Sequence, residues 1–123
     1  MKFAHVVFQI AGAWGVLLLA TMYFLFDTIG RMYPPALTHP DVYYGFLGVT
    51  IAWQMAFFVI SADPLRFRPI MIPAIFEKFI FVVTLLVLFS QGRIAAAQVA
   101  GGSADLVLGI LFVMAFVKTG QRA

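Results

Sequence analysis

Residues 70–90 read IMIPAIFEKFIFVVTLLVLFS, a run of 21 residues in which Glu77 and Lys78 alone are charged. A helix needs about 20 mostly apolar residues to cross the hydrocarbon of a bilayer, and this run has that length. Pro73 falls in its first turn or so, where a missing N–H costs little. Gln91-Gly92-Arg93 closes it with polar and turn-forming residues. The stretch therefore predicts a transmembrane helix.

The rest of the chain has the same character. Of its 123 residues 63% are hydrophobic and 11% charged, and the mean hydropathy is +1.02. Soluble domains carry about 25% charged residues. A single soluble domain of this length buries only about two-thirds of its unfolded surface, too little to hide such a composition; lipid as solvent removes the difficulty. The formal charge is +3, but the Lys and Arg residues are scattered singly rather than gathered in a basic patch, which excludes nucleic acid as a partner. Cysteine is absent, which removes thiolate chemistry and disulfides.

Working outward, three more spans emerge. The first is Phe3 to Phe26, too long for a signal peptide and without a small-residue cleavage pattern, so a retained span is expected. Asp27 to Asp41, with Gly30, Pro34-Pro35 and Pro40, reads as a loop. The second span is Val42 to Ala62, ended by Asp63-Pro64, and Leu65 to Pro69 is a short basic connection. The fourth runs back from Val117 to about Gln98, with Gly101-Gly102-Ser103 inside it or at its edge. The predicted fold is all-α: a four-transmembrane-helix bundle over 1–123, one domain, without internal repeats.

Basic residues orient it. With the N-terminus cytoplasmic, Lys2, Arg66, Arg68, Lys78, Lys118 and Arg122 lie inside and Arg31 and Arg93 outside, six against two, as the positive-inside rule requires. Both termini are then inside, and Tyr23, Tyr33, Tyr43 and Tyr44 form an aromatic belt at the outer ends of the first two spans. His5 and His39 fall on opposite sides of the membrane, which argues against a bis-His haem.

Polar residues in lipid are costly and usually face the bundle interior. At 3.6 residues per turn His5, Gln9, Gly12, Tyr23 and Asp27 share roughly one face of the first span; Thr50, Gln54 and Ser61 of the second; Pro73, Glu77, Phe81 and Thr84 of the third; Gln98, Asp105, Gly109 and Phe112 of the fourth. Depth estimates at about 1.5 Å per residue bring Gln9, Gln54, Glu77 and Asp105 into one buried polar layer. That layer is either a hydrogen-bonded network fixing helix register or a proton-linked or ligand-binding site. Glu77 has a further reading, a salt bridge with Arg66, Arg68 or Lys78 near the inner surface. Lys78, about 100° from Glu77, is expected to snorkel to the headgroups. Arg66 and Arg68 anchor the inner surface and are candidates for anionic lipid. Gly48, Ala52 and Ala56 form a small-residue ridge along which another helix can approach. Trp14 and Trp53 lie mid-span, as packing residues or as the wall of a cavity for a flat apolar ligand. No cofactor or metal motif is present.

Asp63 to Lys78 (DPLRFRPIMIPAIFEK), Gln91-Gly92-Arg93 and Ala104 to Thr119 (ADLVLGILFVMAFVKT), with the four-span layout, resemble small bacterial inner-membrane proteins loosely similar to the DoxX-like four-helix group. The resemblance implies a four-helix bundle in a bacterial inner membrane; it carries no catalytic residue.

Three functions compete. The leading one is a non-enzymatic accessory or scaffold protein packing against other membrane proteins or a second copy of itself, suggested by minimal loops and the small-residue ridge. The second is a small proton-linked transporter or binding protein for a lipophilic ligand. The third is an enzyme acting on a lipid, sterol or quinone with Glu77 and Asp105 as acid and base; two carboxyls without a nucleophile or metal support it least.

Overall fold

The computed structural model describes residues 2–121; Arg122, counted above among the inner basic residues, lies outside them. The described chain is helical: α1 Lys2–Met22, α2 Phe26–Met32, α3 Pro40–Ala62, a 3-10 turn Arg68–Ile70, α4 Met71–Ser90, α5 Ala96–Ala100 and α6 Ser103–Gly120. Four segments are long and apolar enough to cross a membrane: Lys2–Met22, Pro40–Ala62, Arg68–Ser90 and Ala96–Gly120. The four-helix reading holds, with two differences in detail.

The first span stops at Met22 instead of Phe26. Tyr23, Phe24 and Leu25 form turns whose N–H groups donate to Ala20, Thr21 and Met22 carbonyls. The chain then folds back as α2, because its apolar residues have somewhere to pack: the Phe26 ring lies 5.1 Å from Tyr43 and 5.6 Å from Tyr44. The fourth span is broken at Gly101-Gly102 into α5 and α6. There the backbone of Gly102 comes so close to Leu85 of α4 that a Cβ would stand 2.5 Å from its Cδ1.

The helices form two hairpins. In the first, α1 packs along α3. The Tyr43 hydroxyl donates to the Met22 carbonyl at 2.6 Å near one end. His5 Nδ1 meets the Ser61 carbonyl at 2.7 Å, and Ser61 Oγ donates to the His5 carbonyl at 2.9 Å, at the other. The close approach is made by small residues of α1, not of α3. Gly15 lies directly against the Gln54 side chain, and Ala4, Ala11 and Gly12 are buried with it. In the second hairpin α4 packs along α6, and α6 also packs on α1. The ring is left nearly unclosed between α3 and α4.

The core is concentrated at the end that carries both termini. Phe8 stacks on Phe112 with ring centres 4.3 Å apart, and Phe57 meets Phe112 edge-on at 5.0 Å. Ala4, Ala11, Ile60, Met71, Ala74 and Ala115 close around them, all fully buried. Toward the opposite, hairpin end packing thins out. Among the described residues of α4 only Met71, Ala74 and Lys78 are buried, all in its first half.

Arg68 ties the α3–α4 connection to this core. Its Nε and Nη2 donate to the Phe116 carbonyl at 3.1 and 3.0 Å, Nε also reaches Thr119 Oγ1 at 3.1 Å, and the guanidinium lies 3.7 Å above the Phe116 ring. The C-terminal end of a helix carries partial negative charge, and Arg68 brings a positive charge and further donors to it, beside the Thr119 hydroxyl that donates to the same carbonyl at 3.0 Å. Expected at lipid headgroups, it is instead a cap on α6.

Candidate functional site

The site grows from a conflict on α4. Lys78 follows Met71 by seven residues and Ala74 by four, so it shares their inward face. A lysine there must leave the core, reach headgroups or find an anion. It finds one: Nζ lies 2.8 Å from Asp105 Oδ1 and 3.6 Å from Glu77 Oε2. Lys78 is only 5% exposed, and this overturns its assignment as a snorkelling, lipid-facing residue. Its Nζ also stands 5.3 Å from the Phe57 ring centre, over the negative π-face that attracts cations.

Asp105 is brought there by two local features. It lies in the first turn of α6, where the helix dipole favours a carboxylate. Four residues on, Gly109 lets α6 approach α4: a Cβ there would stand 3.2 Å from Lys78 Cβ and 3.1 Å from the Phe79 ring. Glu77 sits about 100° round α4 from Lys78, on the side away from Phe79 and α6. Its Oε2 is buried and has no hydrogen-bond donor among the described residues.

The cluster is deep. Lys78 stands ten residues from Arg68 and thirteen from Gln91, so about 15 Å and about 20 Å from the two ends of its span at the helical rise. Two carboxylates and one ammonium therefore meet near the middle of an apolar bundle.

The predicted four-residue polar layer is not assembled. Glu77 and Asp105 meet through Lys78, but Gln9 is exposed on the outer surface of α1. Gln54 is buried, yet it is turned to α1: its Nε2 donates to the Thr50 carbonyl of its own helix at 2.9 Å, while Oε1 sits against Gly15 without a hydrogen-bond partner among the described residues. Gln98 bends back to accept the Ala95 N–H at 2.8 Å and so serves α5 alone. Trp53 is half-buried and packs on Phe57 with centres 6.5 Å apart. Trp14 is exposed and borders a shallow apolar groove of about 360 Å³ between α1 and α6, with Ile10, Ser103 and Val107.

Of the three proposed headgroup residues only Arg66 keeps an exposed side chain; its backbone N–H closes a turn onto Asp63 Oδ1 at 3.3 Å. The Gly48–Ala52–Ala56 ridge is not used inside the bundle. Gly48 and Ala52 are exposed and Ala56 half-exposed, on the side of α3 opposite its buried Leu47, Gln54 and Ser61. Among the described residues no three His, Asp or Glu side chains are grouped to hold a metal ion.

A second feature lies at the hairpin end: an open groove of about 940 Å³ between the α2–α3 loop with the start of α3, and the connection from α4 to α5. Compared with protein-family profiles, with curated proteins and with solved structures, the chain matches none.

Proposed function

We propose that this chain is a multi-pass membrane protein whose Glu77–Lys78–Asp105 cluster binds a proton or a cationic group. That makes it a small proton-linked transporter or a binding protein for a lipophilic cation rather than an enzyme. One observation carries the reading: a single buried ammonium faces two carboxylates. An unbalanced charge in an apolar interior costs several kcal/mol, and ionisable groups inside a membrane mark ion and proton paths by default. Lys78 balances one carboxylate. The other takes one more positive equivalent, a proton or the cationic group of a ligand.

The test is infrared spectroscopy of the purified protein in lipid, with the cation content measured in parallel. The expected result is one carboxylic-acid carbonyl band per chain, lost in Glu77→Gln or Asp105→Asn, or one bound cation in its place. A spectrum of ionised carboxylates only, with no bound cation, would overturn the reading.

Lateral association, the leading reading on sequence alone, keeps one specific support: the Gly48–Ala52–Ala56 ridge points away from the bundle, and such ridges join helices in lipid. If association is the function, Gly48→Leu with Ala52→Leu will abolish it while leaving the chain folded. The basic-residue distribution and the resemblance to small bacterial membrane proteins support a bacterial inner membrane with both termini cytoplasmic. The exposure of Arg66 at the termini end supports a contact with anionic lipid there.

A further inference from the structure

The Glu77 stripe and the groove at the hairpin end share one side of the molecule. Residues four, seven and eleven positions after Glu77 fall on its face of α4, and these are Phe81, Thr84 and Leu88, all half-buried or exposed. That face lies on the α3 side of Lys78, because α6 occupies the other side through Gly109 and Phe79. The α3–α4 seam is the one the bundle leaves nearly unpacked. Above its end stands the groove, walled by Val42, Tyr43 and Phe46 of α3 on one side and by Gly92, Arg93 and Ile94 on the other. Below the cluster the seam is shut, since Phe57, Ile60, Met71 and Ala74 are fully buried.

We infer that the groove is the mouth of a water-filled path that runs between α3 and α4 to Glu77 from the hairpin end only. The path admits a hydrated proton or a small cation and is sealed toward the termini by the aromatic core. A charged cluster needs water or a counter-charge, and the seam is the side from which water reaches it. Thr84 reinforces a polar lining: its hydroxyl donates to the Ile80 carbonyl of its own helix at 2.8 Å and keeps acceptor capacity for water. The purpose of the path rests on the charge-balance reading above; its existence is tested separately.

The chain has no cysteine, so single-cysteine variants report access directly. Phe46→Cys probes the mouth, Phe81→Cys and Thr84→Cys the seam, Ile60→Cys the seal. Val83→Cys lies at the depth of the seam positions on an exposed face of α4 turned away from them. In sealed lipid vesicles each is treated with a membrane-impermeant, positively charged methanethiosulfonate, added to one side at a time. A lipid-facing thiol stays un-ionised and unreactive, whereas a thiol in water forms thiolate.

The expected result is that Phe46→Cys, Phe81→Cys and Thr84→Cys react from the hairpin side, at least an order of magnitude faster than Val83→Cys, and that Ile60→Cys reacts from neither. If both seam variants are as slow as Val83→Cys, or react from the termini side, the inference is overturned. The infrared test is independent of that outcome, so a failed path and a failed charge-balance reading are told apart.

Discussion

Lys78 on α4 and Asp105 on α6 are joined by an ion pair of 2.8 Å, about midway along the span that carries Lys78, with Glu77 as a second anion 3.6 Å away. The asymmetry of two anions against one cation makes the three residues unequal. Lys78→Met leaves two half-buried carboxylates without the buried ammonium between them. Removing one partner of a buried pair typically costs about 3–5 kcal/mol, and this variant should lose at least that. Glu77→Gln leaves a balanced pair and should be neutral or stabilising. Thermal unfolding in mild detergent measures both. Equal losses for the two would contradict the charge count.

Gly15 offers a test of the first hairpin. Its Cα lies against the Gln54 side chain, and a Cβ would overlap that side chain outright. Gly15→Ala should therefore destabilise the protein by about 1–3 kcal/mol, the usual cost of overpacking. Gln54→Ala in the same chain should recover part of the loss, because it removes the overlapping atoms. A double-mutant cycle on unfolding temperatures gives the coupling; strict additivity would place the contact elsewhere.

These contacts show what was legible beforehand. The number of spans was readable, because the requirement for about 20 apolar residues is severe, but the stretch from Asp27 to Asp41, read as a loop, holds most of the short helix α2 and the start of α3. Glu77 and Asp105 stood out as carboxyls inside apolar spans, because charge in lipid is rare, and both are half-buried. Which helix faces which was not readable from polarity. Lipid is as apolar as a bundle core, so period alone does not separate an inward face from an outward one. Hence Gln9, expected inside, lies outside, and the small residues that bring α1 against α3 are Gly12 and Gly15 of α1, while the Gly48–Ala52 ridge of α3 stays exposed. The position of Lys78 was in fact encoded, four residues after Ala74 and seven after Met71. The Gly101-Gly102-Ser103 run marked the place of the break in the fourth span, but not the close approach of Gly102 to Leu85.

Arg68 can be examined through the end of α6. Two of its nitrogens converge on the Phe116 carbonyl while its plane covers the Phe116 ring. A lysine has one compact ammonium and cannot reproduce the fork. Arg68→Lys is expected to cost about 1.5–3 kcal/mol, the range for hydrogen bonds involving a charged group. Hydrogen exchange should quicken in the last turn of α6, around residues 117–120, and stay unchanged in α1. An effect spread evenly over all four spans would mean that Arg68 acts on the whole bundle and not as a local cap.

The uneven packing along the bundle leads to the last prediction. Phe112 is fully buried between Phe8 and Phe57, whereas Leu88 of α4 is half-buried at the opposite end. Phe112→Ala removes the ring that joins the two hairpins and should cost about 3–5 kcal/mol. Leu88→Ala removes a side chain with few atoms packed against it and should cost well under half as much. The difference matters beyond stability. A membrane protein that admits ions from one side at a time needs one end of its bundle closed while the other is loose. In this chain the closed end is built of interlocking rings, and the loose end of two helices that barely touch. Phe112→Ala should therefore also loosen the seal, and Ile60→Cys, unreactive alone, should become reactive toward the impermeant thiol reagent in the Phe112→Ala background. Reactivity that stays absent there, in a protein still folded by circular dichroism, would show that the aromatic core holds the helices together without closing a path.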